Sequence, residues 1–209
     1  GRIIEEPIPG GIVSPKGKLI YIIALVIGIG IPISIIYLLN LLRFRIEGHT
    51  DVEKLTTVPI IGDIPLTDAG KNGTPTIAVR ENDNNIMAET FRSLRTNLLF
   101  IMGDPDKKVI LVTSTISGEG KTFMASNLAV SLALLGKKVI LVGLDIRKPG
   151  LNKIFHLSHK EKGITQYLAA PQSTDLHALI QPSGITSNLD LLLGGPIPPN
   201  PTELLARQS

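Results

Sequence analysis

Cysteine is absent from the 209 residues, so the chain has no disulfide framework, no thiolate metal site and no cysteine nucleophile. That absence fits a reducing compartment. A strong excess of either charge is also missing. With 21 basic and 18 acidic residues the formal charge is +3, too mild to argue for nucleic acid, and no such partner is expected. Histidine occurs only at 49, 156, 159 and 177, and the pair at 156 and 159 sits in a charged loop, so no metal set is read from them. Tyrosine is confined to positions 21, 37 and 167.

Uninterrupted hydrophobicity is present in quantity. Leu19 to Leu42 carries no charge over 24 residues. A helix of about 20 residues crosses the ~30 Å hydrocarbon core of a bilayer. Tyr21 and Tyr37 lie near the two ends, where interfacial aromatics are favoured, and Pro32 is tolerated in such a helix. A signal-peptide core would be shorter. Residues 19–42 are therefore read as a transmembrane helix. Lys and Arg flank it evenly, at 2, 16 and 18 before and at 43, 45 and 54 after, so charge does not orient it. Pro7 to Pro15 is too rich in Pro and Gly for helix and reads as an extended lead-in.

Beyond the span, residues 43–87 read as a linker. A short helix is expected at Asp51–Thr56, a proline-punctuated apolar strand at Val58–Pro65, a turn at Lys71–Thr74 and a polar loop at Glu81–Asn85. Residues 88–102 have helical periodicity, with Phe91, Leu94, Leu98 and Phe100 to Met102 on the apolar face and Glu89, Arg92 and Arg95 on another. A β-α-β pattern follows: strand Val109–Thr113, helix Thr122–Leu135, strand Val139–Val142, a helix near Ile164–Leu168 and a strand Leu189–Leu193. Fully apolar strands alternating with helices predict an α/β fold of the P-loop NTPase type, a doubly wound parallel sheet, incomplete within these residues.

The first strand runs into Thr113-Ser-Thr-Ile-Ser-Gly-Glu-Gly-Lys-Thr122. Gly120, Lys121 and Thr122 match the end of the G-x-x-x-x-G-K-[ST] phosphate loop, while Thr115 stands at its first glycine. Backbone N–H groups from Ser117 through Gly118, Glu119, Gly120 and Lys121 to Thr122 would cradle phosphates at the helix N-terminus. Lys121 would reach the β- and γ-phosphates and the Thr122 hydroxyl would ligate Mg²⁺. Asp145, at the carboxyl end of the next strand, faces the same crevice; it can hold Mg²⁺ through water or accept a proton from a hydroxyl nucleophile. It can equally cap its own turn. The expected ligands are thus ATP and Mg²⁺. Because ATP is cytoplasmic, residues 43–209 are placed in the cytoplasm and 1–18 outside.

At this point the residues resemble a family. The loop TSTISGEGKT, the run LVGLDIRKPGLNKIF and the run LLLGGPIPPNPTELL are similar to those of the bacterial tyrosine kinase (BY-kinase) family. So is AETFRSLRTNLLF, where Glu89, Arg92 and Arg95 match an E-x-x-R-x-x-R motif. IPGGIVSPKGK resembles the Pro-rich end of a Wzz-type chain-length determinant domain, and EKLTTVPIIGDIP the family's juxtamembrane linker. The resemblance implies a polysaccharide co-polymerase of the bacterial inner membrane with a cytoplasmic tyrosine kinase, of which residues 88–209 would be the N-terminal part. It further implies a homo-oligomeric ring built through Glu89, Arg92 and Arg95. The active site would receive the tyrosine-rich tail of a neighbouring subunit, and the assembly would work with the polysaccharide polymerisation and export machinery. Lys121 and Thr122 fall in Walker A, with Phe123 just beyond among the nucleotide-binding positions, and Asp145 and Arg147 fall in Walker A′.

Two departures accompany the match. The family's D-x-D-x-R reads Gly143-Leu144-Asp145-Ile146-Arg147 here, which leaves Asp145 as the remaining carboxylate. No apolar run ending in Asp follows residue 193, and no tyrosine cluster is present, so a fragment is expected. Two other readings stand beside the kinase. A non-catalytic, nucleotide-responsive scaffold for polysaccharide assembly is favoured by Gly143. A partitioning-type ATPase is disfavoured by Ile116, where such proteins carry a signature Lys, and by the preceding span.

Overall fold

The computed structural model describes residues 17–42, 46, 48–66, 76–104, 106–158 and 161–206. Most of the lead-in, Arg43 and Arg45, and the turn expected at 71–74 lie outside these residues. The chain divides into two units, Gly1–Val58 and Pro59–Ser209.

In the first unit, helix α1 spans Gly17–Leu42, starting two residues before the apolar run. It is long and apolar enough to cross a membrane, and none of its most hydrophobic stretch is buried against protein. Side chains such as Tyr21, Val26, Ile33 and Leu41 are exposed all round it. A helix hydrophobic on every side and buried by nothing is suited to lipid rather than water. The short helix α2 covers His49–Glu53 rather than 51–56. Beyond it the Thr56 amide still donates to Val52 O at 3.2 Å, and the Thr56 hydroxyl accepts from the Val58 amide at 3.1 Å.

In the second unit, residues 59–65 form no strand. Pro59 and Pro65 have no N–H to donate, and no ladder partner lies alongside among the described residues. Ile61 and Ile64 nevertheless pack on the core. Residues 76–79 are then held by one side chain. Asn127 is fully buried; its Oδ1 accepts from the amides of Ala78 (2.7 Å) and Val79 (3.1 Å), and its Nδ2 donates to the carbonyls of Thr76 (3.3 Å) and Phe123 (2.9 Å).

Helix α3 runs Ile86–Met102, capped by the Asn85 side chain accepting from Ala88 N at 2.7 Å and stopped by Gly103 at φ 54°. Met87, Ala88, Phe91 and Leu94 form its buried stripe. Phe100, expected on that stripe, is 86% exposed, because two residues of helix carry it to the far side from Leu98. Helix α4 (Lys121–Leu134) packs on α3, with Phe91 and Phe123 meeting edge to face at 5.9 Å.

The sheet has strands β1 (Val139–Val142), β2 (Gln181–Pro182) and β3 (Leu189–Leu192) in the order β1-β3-β2. β1 and β3 are parallel, Val139 opposite Leu189 and Val142 opposite Leu192, as the apolar runs led one to expect. β2 is antiparallel to β3, with Gln181 opposite Leu191. That strand was not anticipated, since two residues ending in Pro carry no readable period. Short helices α5 (Leu151–Ile154), α6 (Ile164–Ala169) and α7 (Pro201–Ala206) complete the unit, with a 3₁₀ turn at His177–Leu179. Leu189, Leu191 and Leu193 face the core under α3 and α4, while Leu192 faces a second cluster with Ile146, Ile164, Leu179 and Leu204. β3 is therefore covered on both faces, as a buried parallel strand must be. β1 is covered on one: Ile140 and Val142 stay 51% and 41% exposed.

The strand expected at 109–113 is not formed; the segment has no ladder among the described residues. Its exposure still alternates, with Val109 and Leu111 outward at 92% and 80%. Ile110 and Val112 line a cleft of about 660 Å³ whose opposite walls are β1 and the Ala125, Leu128 and Ala129 side of α4. A continuous apolar run prepares a buried strand, but only a neighbouring backbone makes one.

Candidate functional site: a glycine-rich loop and the loop beside it

Residues 113–120 leave the end of the 109–112 segment and lead into α4. Gly118 and Gly120 adopt φ of 98° and 87°, values that L side chains rarely tolerate. These two reversals bend the loop onto the helix start. Gly120, the N-cap of α4, brings no side-chain cap to the first-turn amides. Among the described residues, the amides of Ser117, Gly118, Glu119 and Gly120 donate to no protein group. Unclaimed amides at a helix N-terminus, with its partial positive charge, are an anion site. Four of the amides that the sequence assigns to a phosphate cradle are thus unclaimed by protein among the described residues.

The side chains around it are ordered by local bonds. The Ser114 hydroxyl donates to Ile116 O at 3.1 Å and lies 3.5 Å from the Lys121 ammonium. The Glu119 carboxylate turns back to accept from the amides of Thr115 and Ile116. Phe123 gives its ring to the core against Phe91, so only its backbone amide can serve a ligand.

The second loop, 143–150, approaches at Thr122. A Cβ at Gly150 would stand 3.3 Å from the Thr122 hydroxyl oxygen, so a residue without a side chain lets the two loops meet. Asp145 and Arg147 lie exposed on this second loop. Asp145 Oδ1 accepts from the Lys148 amide at 2.9 Å, which fixes the turn and leaves its other carboxylate oxygen for a ligand. At Gly143 a Cβ would stand 2.9 Å from Leu151 Cδ1 and 3.2 Å from the Gly194 amide nitrogen. The place of the first A′ carboxylate is thus closely hemmed by Leu151 and the end of β3. Thr122 and Asp145 supply a hydroxyl and a carboxylate, the hard oxygen donors that Mg²⁺ takes when a nucleotide completes its shell.

Glu89, Arg92 and Arg95 lie on α3, apart from this crevice. Arg92 binds Glu89 and the Asp83 carbonyl. Arg95 donates to the Ser131 carbonyl at 2.7 Å, on the last turn of α4. Both arginines therefore tie together segments of this chain. Sequence reasoning passed over Ser114, Gly150 and Asn127. The Pro149-Gly150 pair was a turn signal that could have marked the close approach, whereas nothing local marks Asn127.

Comparison with known proteins bears on the family and the fold. A family model described as ParA, NUBPL iron-transfer P-loop NTPase, matches residues 106–185. Tyrosine-protein kinase YwqD of Bacillus subtilis is 41% identical over 122 residues, 58% of this chain and 50% of the relative. A putative tyrosine-protein kinase, EpsB, of Ralstonia nicotianae is 32% identical over 213 residues, covering 96% of this chain and 27% of the relative. The chain thus spans half or less of the curated relatives it matches. Among solved structures, the BceF tyrosine kinase domain superposes with a TM-score of 0.65 at 31% identity, over 78% of this chain and 68% of that one. Likeness carried by sequence and fold together has one reading: the chain belongs to the bacterial tyrosine kinase family.

Proposed function

We propose that residues 59–206 bind Mg-ATP and form the nucleotide half of a protein tyrosine autokinase, anchored by α1 in the bacterial inner membrane with residues 43–209 in the cytoplasm. The observation that carries this is the set of unclaimed amides of residues 117–120, at the start of α4 beside Lys121 and Thr122, where the 143–150 loop meets Thr122 at Gly150. Phosphoryl transfer asks the protein mainly for positioning and charge neutralisation. When bound, Mg²⁺, which Thr122 and Asp145 would hold, would supply positive charge against the charge of transfer. The cradle amides and Lys121 hold the phosphates, Thr122 and Asp145 offer oxygen donors, and Asp145 is the remaining candidate to take the proton of a tyrosine hydroxyl.

The finer reading follows the resemblance: control of capsular or exopolysaccharide chain length and export, in a ring assembled through Glu89, Arg92 and Arg95, each site phosphorylating a neighbour's tyrosine-rich tail. The cleft between residues 110–112 and β1 supports a sheet that takes one more strand, such as the apolar run ending in Asp that the resemblance implies.

One observation favours the scaffold as a second reading. Gly143 replaces a carboxylate, and a side chain there has little room beside Leu151. The test is to reconstitute the chain in bilayer nanodiscs, measure Mg-ATP binding, and follow phosphotyrosine with γ-labelled ATP, with and without the segment that follows in the encoding gene. Phosphotyrosine formation is the result expected of the extended chain. ATP binding without phosphotyrosine in both would turn the reading to the scaffold, and no ATP binding would overturn the site.

A further inference from the structure

The Glu119 carboxylate is an odd guest in a loop meant for polyphosphate, since like charges repel at short range. Its bonds give it a use. One oxygen, Oε2, accepts from the amide of Thr115 at 2.9 Å and of Ile116 at 3.2 Å. Those two amides immediately precede the stretch 117–120, whose N–H groups stay unclaimed among the described residues. Thr115 also stands where the phosphate-loop pattern has glycine, and its φ is not positive. The rising limb of the loop therefore lacks glycine's freedom to wrap, and a side chain from the falling limb ties it down. The Ser114 hydroxyl, donating to Ile116 O at 3.1 Å, adds a second tie on the same limb.

We propose that Glu119 is a positioning residue for nucleotide binding: its carboxylate braces Thr115 and Ile116 so that the amides of 117–120 already converge before a phosphate arrives. This rests on the Mg-ATP reading above. Ordering a loop at the moment of binding weakens affinity, and a loop ordered beforehand avoids that loss. The brace takes only amides outside the cradle, so it does not compete with phosphate for donors. A hydrogen-bond acceptor is what the geometry asks for, so an amide oxygen would serve as well as a carboxylate.

The test uses the full chain in nanodiscs, comparing wild type, Glu119→Ala and Glu119→Gln. Amide hydrogen exchange without nucleotide should show Thr115 and Ile116 protected in wild type and in Glu119→Gln. Both should exchange about tenfold faster in Glu119→Ala, while the melting temperature stays unchanged. The Kd for Mg-ATP should rise several-fold in Glu119→Ala and should not rise in Glu119→Gln, which also removes a negative charge. Unchanged exchange in Glu119→Ala, tighter ATP binding by it, or a Glu119→Gln as weak as Glu119→Ala would each overturn the brace. Wild-type chain with protected amides but no Mg-ATP binding would instead overturn the nucleotide reading, and the role of Glu119 with it.

Discussion

Asn127 engages both ends of its amide, two acceptor bonds and two donor bonds, at zero exposure. Asn127→Leu keeps the volume but strands two amides and a carbonyl of residues 76–79, so it should destabilise the second unit by about 3 kcal/mol, read as a lowered denaturation midpoint. Lys121→Met should leave the midpoint unchanged, because its ammonium makes one contact, 3.5 Å from Ser114. It should abolish Mg-ATP binding and any phosphotyrosine formed; binding that persisted would remove the phosphate-site assignment. At this scale the phosphate loop was legible because Gly-Lys-Thr at fixed spacing names its own chemistry. The role of Asn127 was not, because it depends on partners brought near only by folding: Asn127 bonds residues 48 and 49 positions away.

Helix α3 serves two ends at once. Arg95 reaches the Ser131 carbonyl, one of the last-turn acceptors of α4 that has no helical donor of its own. Arg92→Ala with Arg95→Ala should dissociate oligomers, following the proposed ring interface, and should also lower thermal stability by about 1–2 kcal/mol through the lost cap. Sedimentation and calorimetry on the same sample separate the two effects; a fully associated double variant would remove α3 from the interface. Elements with a long period were legible: α1, α3, α4, β1 and β3 stand within two residues of where hydropathy sets them. The expected strands at 58–65 and 109–113 were misread for one reason. Apolar composition marks a segment that wants a partner, and neither has a ladder among the described residues.

On the scale of the molecule, that unmet pairing governs stability. β1 has an open edge and a half-bare face, and residues 110–112 lie across the cleft from it. Residues 46–209 expressed alone should melt broadly, without a sharp cooperative transition; a steep calorimetric peak would show that α3, α4 and β3 suffice. The α/β class was legible from the alternation of runs, while the antiparallel β2 was not, being too short to carry a pattern.

Each of these two apolar runs is preceded by a pair of lysines, Lys107-Lys108 before Val109 and Lys137-Lys138 before Val139, all exposed. Charges beside an unsatisfied edge act as gatekeepers: two chains that tried to zip edge to edge would bring eight ammonium groups together. Such protection is only as strong as its electrostatic range, which contracts from about 10 Å at 0.1 M salt to about 3 Å at 1 M. Self-association of the second unit should therefore rise with ionic strength, the reverse of a contact held by salt bridges, and light scattering across a salt series would display it. On this argument, four lysines are what keep the second unit from pairing with its own copies.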